Sequence, residues 1–359
     1  MQLPIPKSKN KPIELTNKKN MNSSTSLKAR IISIYTFLIS ANILCWIWAF
    51  LTFHDSPVLL ASAGLAYIFG LRHAVDADHI AAIDNVTRKL MQENKRPTAV
   101  GFFFSLGHST VVVLATILVA FTASKFKDQF NAFKDVGGVL ATLVSAFFLL
   151  IIAVINIFIF RSVYATFKRV VAGGEYCEED IEQVMNGGGL IARMCAPLYR
   201  LINSSWYMFP LGFLFGLGFE TASEVGLLGM SASSGASGIS PWSILVFPAL
   251  FTAGMSLVDT TDGILMLGAY GWAFIKPIRK IYYNMTMTLV SIFIALLVGG
   301  IEALGLLVDQ LKLKGIFWDS VAVTNEHFGI VGVSVIALFI VSWMISIVIY
   351  KVQGYEKLT

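Results

Sequence analysis

Apolar residues fill eight long runs, at about 30–52, 57–87, 98–122, 138–160, 207–231, 242–274, 281–307 and 328–350, with short polar stretches between them. A helix needs about 20 such residues to cross the hydrocarbon of a bilayer. The pattern therefore predicts an all-α polytopic membrane protein with about eight transmembrane helices. Several runs are too long for a simple span, which implies tilt, breaks or helix that continues outside the bilayer. Alternating segments of about ten residues, the mark of a membrane β-barrel, do not occur.

This divides the chain into a basic tail at 1–28, expected to be disordered and cytoplasmic, four helices over 29–160, a cytoplasmic loop at 161–206, four further helices over 207–351 and a short cytoplasmic tail at 352–359. The tail leads into an apolar run with no small-residue cleavage site, so it reads as a start-transfer anchor. The loop contains GGEYCEEDIEQVMNGGG (173–189), which reads as a solvated linker, with metal sensing as the alternative.

Composition agrees with this picture. Of 359 residues 56% are hydrophobic and 14% charged, where a soluble domain carries about 25% charged residues. With the N-terminus in the cytoplasm, 21 of the 27 lysines and arginines fall on the cytoplasmic side and five outside, leaving Arg72 within a span. That is the positive-inside bias. The net charge of +5 is a topology signal and gives no reason to invoke nucleic acid. Cys45, Cys177 and Cys195 have no disulfide-framework spacing.

The polar residues inside the spans need an explanation. GLRHAVDADHIAAIDN (70–85) alone holds Arg72, His73, Asp76, Asp78, His79 and Asp84, and later spans add Glu220, Glu224, Asp259 and Asp262. An ionised group at the bilayer centre costs about 2.5–3.5 kcal/mol on insertion scales. Eight of them facing lipid would cost roughly 24 kcal/mol, more than a domain's net stability. They must face one another, a water-filled cavity or a bound ion.

At about 100° per residue His73, Asp84, Asp76, Arg72 and His79 share one face of a regular helix, with Asp78 pointing elsewhere. In that helix His73 and His79 would stand about 9 Å apart along the axis, too far for one ion held by bonds of about 2 Å. Either the helix is distorted here, or the two histidines serve successive positions on a path. The third run adds His108 in GFFFSLGHSTVV, beside Gly107, Ser109 and Thr110. Glu220 and Glu224 are i,i+4, and Asp259 and Asp262 are i,i+3. The plain alternative for these acids is partnership with Arg72 and with helix termini.

A short internal repeat is present. FGLRHAVDADH (69–79) aligns with FGLGFETASEV (215–225), and SLGHST (105–110) with SLVDTT (256–261), which sets His108 opposite Asp259. The paired spans run in opposite directions, as in transporters built from inverted repeats around a midplane site. Imidazole with carboxylate suits nickel, copper, zinc and iron, and no intramembrane cysteine cluster favours copper(I). The residues alone point to a divalent first-row metal as cargo.

With these motifs together, the sequence resembles the nickel/cobalt transporter family of secondary permeases, closest to the bacterial high-affinity nickel permeases. RHAVDADHI carries the family's His, four residues, Asp-His hallmark, and FSLGHSTVV, LGFETASE and GMSLVDTTDG match its other signatures in order. Glu220 stands where the family commonly has aspartate. The resemblance implies import of nickel, with cobalt as second cargo, and carries over His73, Asp78 and His79 as the metal-binding signature, joined by His108. Glu220, Glu224, Asp259 and Asp262 follow as members of its other signatures, and with Arg72, Asp76 and Asp84 from the residue reading they form the supporting or ion-path groups. Val75 is implied as a position whose bulk tunes nickel against cobalt.

No GxxxxGK[ST] loop occurs, so import is expected to draw on the membrane potential, a proton gradient or both, without an ATPase subunit. The cytoplasmic (inner) membrane is the expected location, with the bilayer and the metal ion as partners and no resident cofactor. Arg72 is expected to compensate carboxylates when metal is absent. Two other classes compete. An intramembrane metalloenzyme would need HExxH or several histidine boxes, which five histidines do not supply. A carrier of organic cations would leave uptake insensitive to chelators.

Overall fold

The computed structural model of the protein describes residues 13–93, 95–122, 127–173, 201–218, 221–273 and 277–354. Helix dominates, and no strand occurs among the described residues. In chain order the helices are α1 (Ile13–Phe53), α2 (Pro57–His73), α3 (Ala77–Gln92), α4 (Val100–Thr122), α5 (Lys127–Val171), α6 (Met208–Phe215), α7 (Ala222–Ala236), α8 (Pro241–Ile244), α9 (Val246–Ala273), α10 (Pro277–Leu311), α11 (Ile316–Glu326) and α12 (Phe328–Val352). Residues 13–28 of the expected tail continue the first helix. The 173–189 motif from Gly174 onward, with Cys177 and Cys195, lies outside the described residues.

Six stretches are long and apolar enough to cross a membrane: Ser26–Phe53, Val100–Ala120, Val136–Val171, Pro241–Gly271, Ile281–Leu311 and Phe328–Val352. The pair α2 and α3 makes a seventh if its 51° bend is taken as one broken span. The apolar run at 207–231 is not a single helix. It folds as α6 and α7, of 8 and 15 residues, parted by a glycine-containing segment. Apolar content predicts burial in lipid or protein; it does not by itself predict an unbroken helix.

Both breaks have local causes. After His73 the chain makes a tight turn, with Val75 N–H donating to the Arg72 carbonyl and Asp76 N–H to that of His73. Asp76 then takes an extended conformation (φ −66°, ψ 146°) at the N-cap of α3, a position that favours Asp, Asn, Ser and Thr. In the second break Thr221 caps α7, its hydroxyl accepting from the Glu224 amide at 3.4 Å. Thr221-Ala-Ser-Glu224 is thus an N-terminal capping motif.

Close helix approach sets the frame around these breaks. Gly70 of α2 rests on the Phe251 backbone of α9, and Gly212 of α6 rests in the same way on Phe104 of α4. A side chain at either glycine would overlap the facing carbonyl, the role small residues play between membrane helices. Helices α4 and α9 cross where Gly101 meets the Asp259 backbone, and there Ser105 Oγ donates to Ser256 Oγ at 3.0 Å. The ends of the broken helices therefore converge on the α4–α9 crossing.

Arg88 and Lys89, counted from sequence with a cytoplasmic loop, are buried in α3. Arg88 donates to Thr288 Oγ1 at 3.0 Å and to Asn85 Oδ1 at 2.9 Å, while Lys89 Nζ reaches the Ile202 carbonyl and Glu93.

Candidate metal centre

His73 is the last residue of α2, His79 lies in the first turn of α3 and His108 sits inside α4; all three are at most 2% exposed. The bend removes the separation that a straight helix would impose. Ring centroids stand 4.7 Å apart for His73 and His79, 4.7 Å for His73 and His108, and 4.9 Å for His79 and His108. One nitrogen from each ring falls within 4.8 Å of the others, the spacing of a metal-binding group. Of the two alternatives left by the sequence, the helix is distorted, and the rings meet.

Two of the rings are oriented from behind. His73 Nδ1 lies 3.0 Å from Asp76 Oδ2 and 3.3 Å from Thr221 Oγ1. His79 Nδ1 lies 3.3 and 3.4 Å from the two Asp259 oxygens. A carboxylate that accepts from Nδ1–H leaves Nε2 with its lone pair, the arrangement that backs metal-bound imidazoles. Asp76 forms no capping bond of its own; its carboxylate is turned to His73 instead.

The forward nitrogens gather with a carboxylate. His73 Nε2 and His108 Nε2 are 2.9 Å apart, and Glu224 Oε1 lies 3.0 Å from His108 Nε2 and 3.7 Å from His73 Nε2. The Thr221 hydroxyl, donating to Glu224 Oε2 at 3.0 Å, fixes that carboxylate's other oxygen. His79 Nε2 and His108 Nδ1 are buried with no hydrogen-bond partner among the described residues. A buried lone pair without a donor is costly unless something else takes it. Phe104 meets His79 edge-on at 4.8 Å and Phe251 lies 5.6 Å from His73, so the chamber is walled by aromatic rings.

Three carboxylates, those of Asp76, Glu224 and Asp259, surround the rings at 2% exposure or less. None of the three forms an ion pair with lysine or arginine among the described residues. Arg72, expected to compensate them, is exposed and donates to Ser223 Oγ at 3.0 Å. Concentrated negative charge and forward imidazoles, walled off from water, suit a small dication.

The other sequence-derived candidates lie around this group. Asp78 is half-buried in the first turn of α3 and makes no ion pair with the three histidines. Asp262, one turn beyond Asp259, has a buried Oδ2 with no partner among the described residues. Asp84 is fully buried away from the rings, accepting from Tyr270 at 2.5 Å and Ser291 at 2.8 Å. Val75 is partly buried and packs against an apolar cluster that includes Ala77, Ile80, Val335 and Phe339. Glu220 lies outside the described residues.

Sequence reasoning passed over Thr221, which the T-x-x-E spacing could have flagged, and Glu302. The latter is a buried carboxylate in α10 to which Ser145 Oγ lies 2.8 Å from either oxygen. It sits alone in a long apolar run, and that isolation was its signal.

The family described as high-affinity nickel-transport protein matches residues 59–349. The high-affinity nickel transport protein of Cupriavidus necator is 55% identical over 336 residues, covering 94% of this chain and 96% of that one. The high-affinity nickel-transport protein NixA of Helicobacter pylori is 42% identical over 86% of this chain and 94% of its own. The cobalt transport protein NhlF of Rhodococcus rhodochrous is 40% identical over 79% and 81%. No solved structure matches the chain. Four signature segments that converge on one chamber and matches over most of the chain agree, and the chain belongs to the high-affinity nickel-transport protein family.

Proposed function

We propose that the protein is a multi-pass secondary permease of the cytoplasmic membrane that imports nickel(II), with cobalt(II) as a second cargo. The observation that carries this is the buried chamber of His73, His79 and His108, two of them backed by carboxylates and all with Glu224 and Asp259 at hand. The names of the relatives in Cupriavidus necator and Helicobacter pylori support nickel, and that of the Rhodococcus relative supports cobalt.

In this reading a hydrated dication exchanges water for His73 Nε2, His79 Nε2, His108 and the Glu224 carboxylate. Asp76, Asp259 and Thr221 hold the rings and the carboxylate in place. Asp78, at the half-buried edge, receives the ion, and Asp262 takes it onward along α9. Glu220 belongs to the path by its place in the LGFETASE signature. Asp84 supports the site by tying α3 to α9 and α10.

Two features support an inverted repeat. Both aligned segments, at 69–79 and 215–225, run into a helix break, and the aligned Ser105 and Ser256 meet at 3.0 Å. In addition α2 packs on α9 as α6 packs on α4. The pair α6 and α7 would then be the eighth passage, broken like α2 and α3, and the basic bias puts both termini in the cytoplasm. Rocking of the halves about the α4–α9 crossing would expose the chamber to each side in turn. Each elementary charge gains about 2.3 kcal/mol per 100 mV, so a dication gains about 4.6 kcal/mol without ATP.

The test is radiolabelled nickel uptake by cells carrying the wild type or His73→Ala at equal membrane abundance, with cobalt and zinc as competitors. Saturable uptake that the substitution abolishes, inhibited more by cobalt than by zinc, is expected. Wild-type uptake no higher than that of empty cells would overturn the proposal. Collapse of the membrane potential or of the proton gradient, one at a time, identifies the driving force.

A further inference from the structure

Only residues 74–76 join α2 to α3, so the spacing of His73 and His79 depends on how that short turn is held. Its outer side is covered by the first turns of α12. Gly332 faces the turn's backbone: a methyl there would overlap the Val75 carbonyl oxygen and stand 2.9 Å from its carbon and 3.1 Å from the Ala77 nitrogen. Gly329, one turn earlier, faces side chains, and a methyl there would lie 3.2 Å from Asp76 Oδ1. That is the oxygen opposite the one at 3.0 Å from His73 Nδ1.

We propose that Gly329 and Gly332 form a seat on α12 that sets the His73–His79 spacing and thereby the metal preference of the chamber. They are positioning residues, since α12 makes no hydrogen bond to the three histidines among the described residues. The inference deepens the nickel-permease reading and rests on it. Its leverage is a matter of scale. Ordinary carbon contacts are about 3.5–4.0 Å, so a methyl at Gly332 forces the turn or α12 to yield by roughly 1 Å or more. Metal-ligand distances tolerate only about 0.2 Å. Val75, whose carbonyl faces Gly332, also packs against the cluster that contains Val335 and Phe339 of α12. Bulk at position 75 would therefore also act through this seat.

The experiment compares wild type, Gly332→Ala, Gly329→Ala and, as a control, Gly300→Ala, where a methyl meets nothing within 4 Å. Nickel and cobalt uptake are measured over a concentration series and normalised to membrane abundance. Nickel affinity and the thermal unfolding midpoint are measured on purified protein. For Gly332→Ala the expected result is a KM for nickel raised tenfold or more and a nickel-to-cobalt ratio changed at least threefold. The unfolding midpoint should fall by a few degrees, while maximal rate per transporter stays near wild type and the KM and ratio changes exceed what reduced abundance accounts for. Gly329→Ala should shift the ratio in the same sense by less, and stands in if Gly332→Ala does not accumulate. Wild-type KM and metal ratio in both variants, or losses that only track abundance and unfolding midpoint, would overturn the seat. Absence of nickel and cobalt uptake in the wild type would instead remove the permease reading itself.

Discussion

Two polar interiors lie along α3, and they are built to opposite ends. Around His73, His79 and His108, two buried ring nitrogens lack a partner among the described residues and three carboxylates stand without a paired lysine or arginine. Around Asp84, five to nine residues further along, most groups are satisfied. Asp84 accepts from Tyr270 and Ser291, Asn85 accepts from Arg88 and Asn156, and Arg88 also donates to Thr288. Among the described residues the Arg88 Nε and the neighbouring Thr87 hydroxyl are left over there. A satisfied buried network fastens helices together, whereas an unsatisfied one is held in readiness for something that arrives. Polar residues in a span thus have two uses, and hydrogen-bond completeness tells them apart.

The strongest way to break that contrast is to delete a ligand. His79→Ala should reduce nickel uptake at least a hundredfold while the protein inserts at normal abundance; uptake within tenfold of wild type would take His79 out of the chamber's function. Asp84→Ala should do the converse. It strands the Tyr270 and Ser291 hydroxyls, at a cost of about 1–3 kcal/mol for each unsatisfied group. The detergent unfolding midpoint should fall while nickel affinity of the surviving protein stays within about threefold.

Between these extremes lie the backing groups. Asp259→Asn keeps the shape but no longer holds the His79 proton as a carboxylate does, and loss of such a partner typically weakens metal binding 10–100-fold. Titration calorimetry with nickel would read this directly. Thr221→Val removes a cap worth about 1 kcal/mol and frees Glu224, so a several-fold weaker affinity with a small drop in midpoint is expected. Mild acidification should give the smallest effect on wild type: protons compete for the imidazole lone pairs, so apparent affinity falls as pH is lowered. Affinity that rose on acidification would argue against imidazole ligation.

The residues differ in how legible they were. His73, His79, His108, Glu224 and Asp259 stood out because charge and imidazole are costly in hydrocarbon, and their types pointed to a transition metal. Thr221 and Ser223 did not stand out, because hydroxyls are cheap in a helix and common between helices. Arg88 reads as a loop residue because it lies at the end of an apolar run, where sequence does not distinguish a guanidinium buried in a helix from a solvated one. Asp84 looked like a neighbour of His73 on a regular wheel. The break rotated the wheel and left Asp84 in a different network.

By itself the sequence determined the membrane class, the helical architecture, the family and the set of groups that had to be shielded from lipid. Those follow from composition and from local spacing, which act over a few residues. Tertiary structure alone decided that α2 and α3 part at residues 74–76, that the run at 207–231 becomes two short helices, and that three rings from three helices meet with Glu224. It decided as well that the Val75 carbonyl lies against Gly332 of α12. The physical reason is that a helix break is a balance between local turn preference and the packing that receives it. Here the receiving surfaces, Gly332 against Val75 for one break and the His108 backbone against Gly216 for the other, lie 257 and 108 residues along the chain from the segments they meet, on helices that only the folded chain brings alongside.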